Sequence, residues 1–257
     1  MLSRTGRKTV DNSDRSLWNK GVKSYHSDHY QLLTVRDVQK DEAAILEVLS
    51  AIKANELSND LVLLNYYKEI PVSFGATIDR IDRGVVDVGV HRLQAVSMQM
   101  QMSTFVKSGH LPYCVIAKVL RVKREESLAL LTQFSYVHIP SEQRKFLRVS
   151  VLEKVDAYFC TDKQEVRGTI GDISYGGVAI LAPQETFFKE NAKGMVTLCL
   201  RSSKLELPGT FLRVDEQQAL KKYIIKLQMD SKSEQIISKF IFKEQIEILR
   251  ELKDMCI

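Results

Sequence analysis

Several of the features that mark common function classes are missing from this 257-residue chain. No stretch of about 18 consecutive apolar residues occurs, so no segment is expected to cross a membrane as a helix. The opening "MLSRTGRKTVDNSDRSLWNKG" has basic residues but no apolar run, which argues against a secretory leader. Cysteine is scarce. Cys114, Cys160, Cys199 and Cys256 are widely spaced and form no CxxC pair, so reduced thiols in a cytoplasmic protein are expected. A GxxxxGK[ST] loop, a GxSxG elbow and an HExxH motif are all absent, which removes the usual signatures of nucleotide hydrolases, esterases and metalloproteases. The charge excess is small too: 37 basic residues against 32 acidic ones give +5, which permits a polyanionic partner without demanding one.

What is present fits a globular protein of one large or two ordinary domains, 44 % hydrophobic and 27 % charged. Residues 1–30 are polar and aperiodic and read as a mobile tail. His26 and His29 have a metal-compatible spacing there, but a solvated tail explains them better. Over 37–53 the residues Val38, Ile45, Leu46, Val48, Leu49 and Ile52 recur at helical spacing, which predicts an amphipathic helix ended near Asn55 and Asn59. Alternating, Val- and Ile-rich segments then predict strands, including a hairpin with a charged turn at 123–126. Met98, Met100 and Met102 alternate with glutamines and read as one face of a strand. Pro140 closes this run, and "SEQRKF" forms a polar joint. Short strands resume beyond it, and a second amphipathic helix is expected over 233–253.

An internal repeat adds to this. Shifted by 92 positions, "TIDRIDRGVV" (77–86) lies over "TIGDISYGGV" (169–178), and "LRV" at 120–122 falls on "LRV" at 212–214. Two ungapped matches at one offset favour a duplicated β-domain.

Two stretches are the best candidates for binding: "QRKFLR" (143–148) and "DISYGG" (172–177). Arg144 and Arg148 carry planar forks suited to phosphate and to the O6/N7 edge of guanine. Asp172 can accept from guanine N1 and N2, Ser174 can donate to an anion or cap a turn, and Gly176 and Gly177 allow positive φ and close backbone approach. Taken singly, two arginines four apart are usually a solvated face, and "DISYGG" is usually a strand-ending turn. Together and in this order they suit a guanine nucleotide on which no chemistry is done.

This pairing of RxxxR with D/NxSxxG on a β-barrel resembles the PilZ domain, a bacterial receptor for cyclic di-GMP. The resemblance covers about 139–257. The whole chain is similar in arrangement to the YcgR-type flagellar brake proteins. It implies a mainly β fold of two antiparallel β-barrels, with an N-terminal amphipathic helix and a C-terminal helix. The domains would be a helix plus β-barrel interaction domain at 31–138 and a ligand-binding barrel with its helix at 139–257.

Arg144 and Arg148 would contact phosphate and guanine from a flexible joint, with Gln143 and Lys145 beside them. Asp172, Ser174, Gly176 and Gly177 would form the barrel-side cradle. Gln143 stands where some members carry a further arginine, which favours one cyclic di-GMP per site. In the first copy Arg80, Asp82 and Val85 replace Asp172, Ser174 and Gly177, while Ile52 and Glu56 stand at the arginine positions.

The expectation is therefore a non-enzymatic cytoplasmic receptor without cofactor or metal. Its domains would rearrange on binding cyclic di-GMP and act on a protein partner such as a flagellar motor component at the basal body. Oligomeric state is left open, and control of polysaccharide synthesis or transcription is an alternative output. A nucleic-acid-binding β-barrel is the rival of another class; it would need Tyr66, Tyr67, Tyr113 and Tyr136 exposed along a basic groove.

Overall fold

The computed structural model describes residues 30–256, apart from 184, 202, 218 and 219. The tail, with Trp18, His26 and His29, lies outside the described residues. Helix α1 (Val38–Lys53) starts where Asp37 accepts a hydrogen bond from the Lys40 N–H at 2.8 Å. It stops at Asn55, whose φ of 60° lies in the left-handed region. Ile45, Leu49 and Ile52 are buried. Val38, grouped with them by spacing, is exposed because it sits in the first turn, beyond the core.

The first sheet contains β1 (Gln31–Leu32), β2 (Val62–Tyr67), β3 (Ile70–Gly75), β4 (Thr77–Asp82) and β5 (Val85–Gly89). After helix α2 (Arg92–Gln101) it is completed by β6 (Ser103–Lys107), β7 (Cys114–Lys123) and β8 (Leu128–His138). Its order is β3-β2-β6-β7-β8-β5-β4, with β1 also on β8. The edge strands β3 and β4 are joined through Ala76 alone, so the sheet must curl to bring its two ends together. The result is a half-barrel. Helix α1 packs on β4 and β8 and shares the core of Val86, Val88, Val115 and Leu131.

The alternation of Met98, Met100 and Met102 was not a strand. Met98 and Met100 lie in α2 and Met102 caps it; Met98 is fully buried while Met100 is 51 % exposed. The helix wins because its polar residues have partners inside. Gln94 donates to Asn65 at 2.6 Å and Gln101 donates to the Tyr66 carbonyl at 2.5 Å. Gln94, and Gln101 from the alternating run, therefore fasten α2 to β2.

A 3₁₀ turn, Pro140–Gln143, leads into the second sheet. This comprises β9 (Arg148–Ser150), β10 (Asp156–Cys160), β11 (Glu165–Ser174), β12 (Gly177–Ala182), β13 (Lys193–Leu200), β14 (Ser203–Gln217) and β15 (Leu220–Leu227). The order β10-β13-β14-β15-β12-β11 closes through β10–β11 pairing into a six-stranded antiparallel barrel, with β9 added outside β11. Helix α3 (Ser231–Asp254) is started by a reciprocal cap between Asp230 and Ser233. It buries Ile237, Ile241, Ile248 and Leu252 against the barrel core.

The 92-residue shift has a structural counterpart. Hairpin β4–β5 changes register between Ile78 and Arg80, and β11–β12 does so between Ile170 and Asp172. Strand β7 slips against β8 between Val119 and Arg121, as β14 slips against β15 between Phe211 and Arg213. Each pair of positions differs by 92. Bulges re-aim a strand and are retained as features, so the matched residues occupy matched places in two related sheets. The first sheet stays open because β3 lies beside β2, where the second barrel closes β10 directly onto β11.

The domains touch through the β2–β3 hairpin. Tyr67, Ile70 and Val72 join the second barrel's hydrophobic cluster. The Tyr67 hydroxyl donates to Glu251 at 2.9 Å, Lys68 pairs with the same carboxylate at 2.5 Å, and the Lys68 carbonyl accepts from the Ser150 N–H. Among the described residues, no helix is long and apolar enough to cross a membrane.

Candidate ligand site

The arginine stretch and the glycine turn meet because β9 pairs with the end of β11. Arg148 lies opposite Ser174, and Ser150 opposite Asp172. The turn between β11 and β12 then places Gly176 and Gly177 at the mouth of one cavity. Arg144, Lys145, Arg148, Asp172, Ser174, Gly176 and Gly177 all line it. Gln143, at the end of the 3₁₀ turn, is exposed and does not.

Asp172 is only 5 % exposed and is held by two cations. Lys222 pairs with one carboxylate oxygen at 2.7 Å, and Arg148 approaches the other at 3.8 Å. A buried carboxylate is stable when so compensated, and this one orients Arg148 at the cavity wall. The Ser174 hydroxyl accepts from the Gly176 N–H and donates to the Gly177 carbonyl. It caps the turn.

The glycines matter for a different reason from the one expected. Neither has a positive φ; among the described glycines only Gly84 does. A Cβ on Gly177 would lie 2.6 Å from the Ile225 carbonyl oxygen of β15, a backbone atom that cannot move aside cheaply. Gly177 is therefore required by strand packing. Gly176 instead lies under the Phe146 ring, 3.0 Å from where its Cβ would be.

Arg144 is engaged elsewhere. Its guanidinium pairs at 2.7 Å with Glu69, at the tip of the β2–β3 hairpin of the first domain. Lys68 and Glu69 have φ of 50° and 70°, the left-handed pair of a tight hairpin turn. One arginine of the candidate site is thus also an inter-domain contact.

Residues 142–243 match the family model described as PilZ domain. The match spans the second barrel and the first half of α3. No curated protein matches the sequence. Among solved structures, Escherichia coli YcgR in complex with c-di-GMP is 10 % identical, with 90 % of this chain and 99 % of that chain covered and a TM-score of 0.43. The K. pneumonia MrkH-c-di-GMP complex is 11 % identical, covering 86 % and 99 %, at 0.42. Bacillus subtilis Inhibitor of motility (MotI/DgrA) is 13 % identical, covering 73 % and 95 %, at 0.39.

Several residues of this cavity were missed in the sequence. Lys226 and Phe146 line it, and Lys222 braces Asp172 from behind. Lys222 and Lys226 lie on β15 four residues apart, and nothing in "KKYIIKLQM" says which barrel residue they face. Phe146 was in plain view inside RxxxR; an exposed aromatic beside two arginines was the signal.

The first domain has no equivalent site. Arg80 pairs with Asp87 at 3.4 Å, and Ile52 is buried in the α1 core. No group of three or more His, Cys, Asp or Glu able to hold a metal occurs among the described residues. Of the tyrosines that a nucleic-acid groove would need, Tyr113 is exposed but packs edge-on against Tyr136. Tyr67 and Tyr136 are buried, and Tyr66 packs edge-on against Phe105.

Proposed function

We propose that the protein is a cyclic di-GMP receptor in which the ligand competes with Glu69 for Arg144. The observation that carries this reading is the shared arginine: one guanidinium lines the PilZ cavity and also ties the first domain to the second. Cyclic di-GMP offers phosphates and guanine edges, which Arg144, Arg148, Lys145 and Lys226 are chemically suited to meet. Asp172 and Lys222 hold Arg148 in place, and Ser174 with Gly177 shapes the rim.

Arg144 cannot serve Glu69 and a ligand with full strength at once. Ligand therefore favours arrangements in which the hairpin tip has let go, to the extent that it binds them better. The chain acts as a receptor and performs no reaction. By resemblance to the flagellar brake family, its output is motility, delivered through a protein partner.

Calorimetric titration of the full chain tests the site. Arg148→Ala should weaken cyclic di-GMP at least tenfold, since one bidentate guanine contact is worth about 1–3 kcal/mol. Glu69→Gln should tighten it severalfold by removing the competitor. Unchanged affinity in Arg148→Ala, or equal binding of cyclic di-AMP and single-stranded RNA, would refute the assignment. Swimming assays of a deletion strain test the output: normal motility with altered transcription or polysaccharide would redirect it.

A further inference from the structure

We infer that the outer face of α3 is a docking surface for an amphipathic helix of an acidic partner protein. Phe242, Ile246 and Leu249 are 64, 40 and 40 % exposed. They follow one another at i, i+4 and i+7, so they form a single row along the helix. The core-facing row of Ile237, Ile241, Ile248 and Leu252 is separate and buried. Solvent has no use for a second apolar row on the same helix, and contiguous exposed apolar surface marks interaction sites.

The charges on α3 are divided between its faces. Glu244 and Glu247 turn to Arg201, and Glu251 takes Lys68 and Tyr67. These acids are engaged within the molecule. Lys239, Lys243 and Arg250 are exposed and form no ion pair among the described residues. Each stands three or four residues from a member of the apolar row, as Lys253 does from Leu249, so the row has a basic rim.

This pattern selects among occupants. A narrow apolar row with charged flanks is the seam of helix-on-helix packing, whereas a helix lying in a lipid surface presents a wide apolar face. A second copy of the chain would bring the same basic rim and gain no opposite charge. A helix with an apolar seam and flanking Glu or Asp meets both features. This inference does not depend on the ligand assigned to the PilZ cavity.

The experiment uses the full chain and two labelled helical peptides with the same leucine seam, one flanked by glutamate and one by lysine. Fluorescence anisotropy should show the glutamate peptide binding at least tenfold more tightly, with affinity falling as salt rises. Phe242→Glu with Ile246→Glu should abolish binding while the melting temperature stays unchanged, because both side chains are exposed. Lys239→Glu with Lys243→Glu should reverse the preference toward the lysine peptide. The inference fails if neither peptide binds, if both bind equally, or if binding survives in the Phe242→Glu, Ile246→Glu variant. It also fails if those residues instead drive sedimentation with phosphatidylglycerol vesicles or dimerisation of the chain.

Discussion

Asp172 shows how much one buried carboxylate organises. It faces Lys222 and Arg148 across a site it barely shares with solvent. Removing one partner of a buried pair leaves an uncompensated charge and costs about 3–5 kcal/mol. Arg148 still stands 3.8 Å from Asp172 in Lys222→Met, so that variant should destabilise the chain by less than this, and Lys222→Met with Asp172→Asn by less again. A double-mutant cycle in urea checks this; additive losses would mean the pair is not coupled. Gly177 makes a different demand. Gly177→Ala forces a methyl against the Ile225 carbonyl and should cost about 1–3 kcal/mol, read as a fall in melting temperature. A neutral effect would show that β15 yields more easily than a backbone contact of 2.6 Å implies.

The β2–β3 hairpin is one element that links the domains; Arg124 also reaches the Met255 carbonyl at 3.0 Å. The hairpin tip reaches Arg144 on one side and Glu251 of α3 on the other. Burial acts to raise the Glu251 carboxyl, but hydrogen bonds from Lys68 and Tyr67 outweigh it and hold the group below its usual 4.5. Burial and the bond to Glu251 raise the Tyr67 phenol above its usual range. A lowered carboxyl contributes stability that is present above its unfolded value and lost as pH falls through the folded one. The clamp should therefore loosen below pH 4.5. Glu251→Gln should lack this step when inter-domain distance is followed against pH. Identical profiles for wild type and variant would remove Glu251 from the clamp.

At the scale of the whole molecule, the two sheets carry matched bulges yet differ in closure and in ligand groups. The first domain lacks the site and instead supplies Glu69, the group that occupies Arg144. A dye on α1 and another on the β13–β14 hairpin should report a distance change when cyclic di-GMP is added. The change should vanish in Arg148→Ala and occur at lower ligand concentration in Glu69→Gln. A shift that persists in Arg148→Ala would uncouple the site from domain motion.

Local pattern was enough for much of this protein. The 37–53 and 233–253 periodicities specify helices because one face of each must meet a core. The short alternating segments beyond Pro140 specify strands for the same reason. Arg144, Arg148, Asp172, Ser174 and Gly177 could be singled out as candidates because their order and spacing are local, and they line one cavity. Tertiary structure decided what depends on contacts between distant segments. The alternation of Met98 and Met100 resolved as helix only because Asn65 and the Tyr66 carbonyl stand ready to receive Gln94 and Gln101. Lys222 on β15 and Glu69 at the β2–β3 tip pair with site residues far away in sequence, and an ion pair leaves no trace in the spacing of either partner. Gly177 is visible as a glycine in the sequence, but its reason, the carbonyl of Ile225, exists only once β12 and β15 lie side by side.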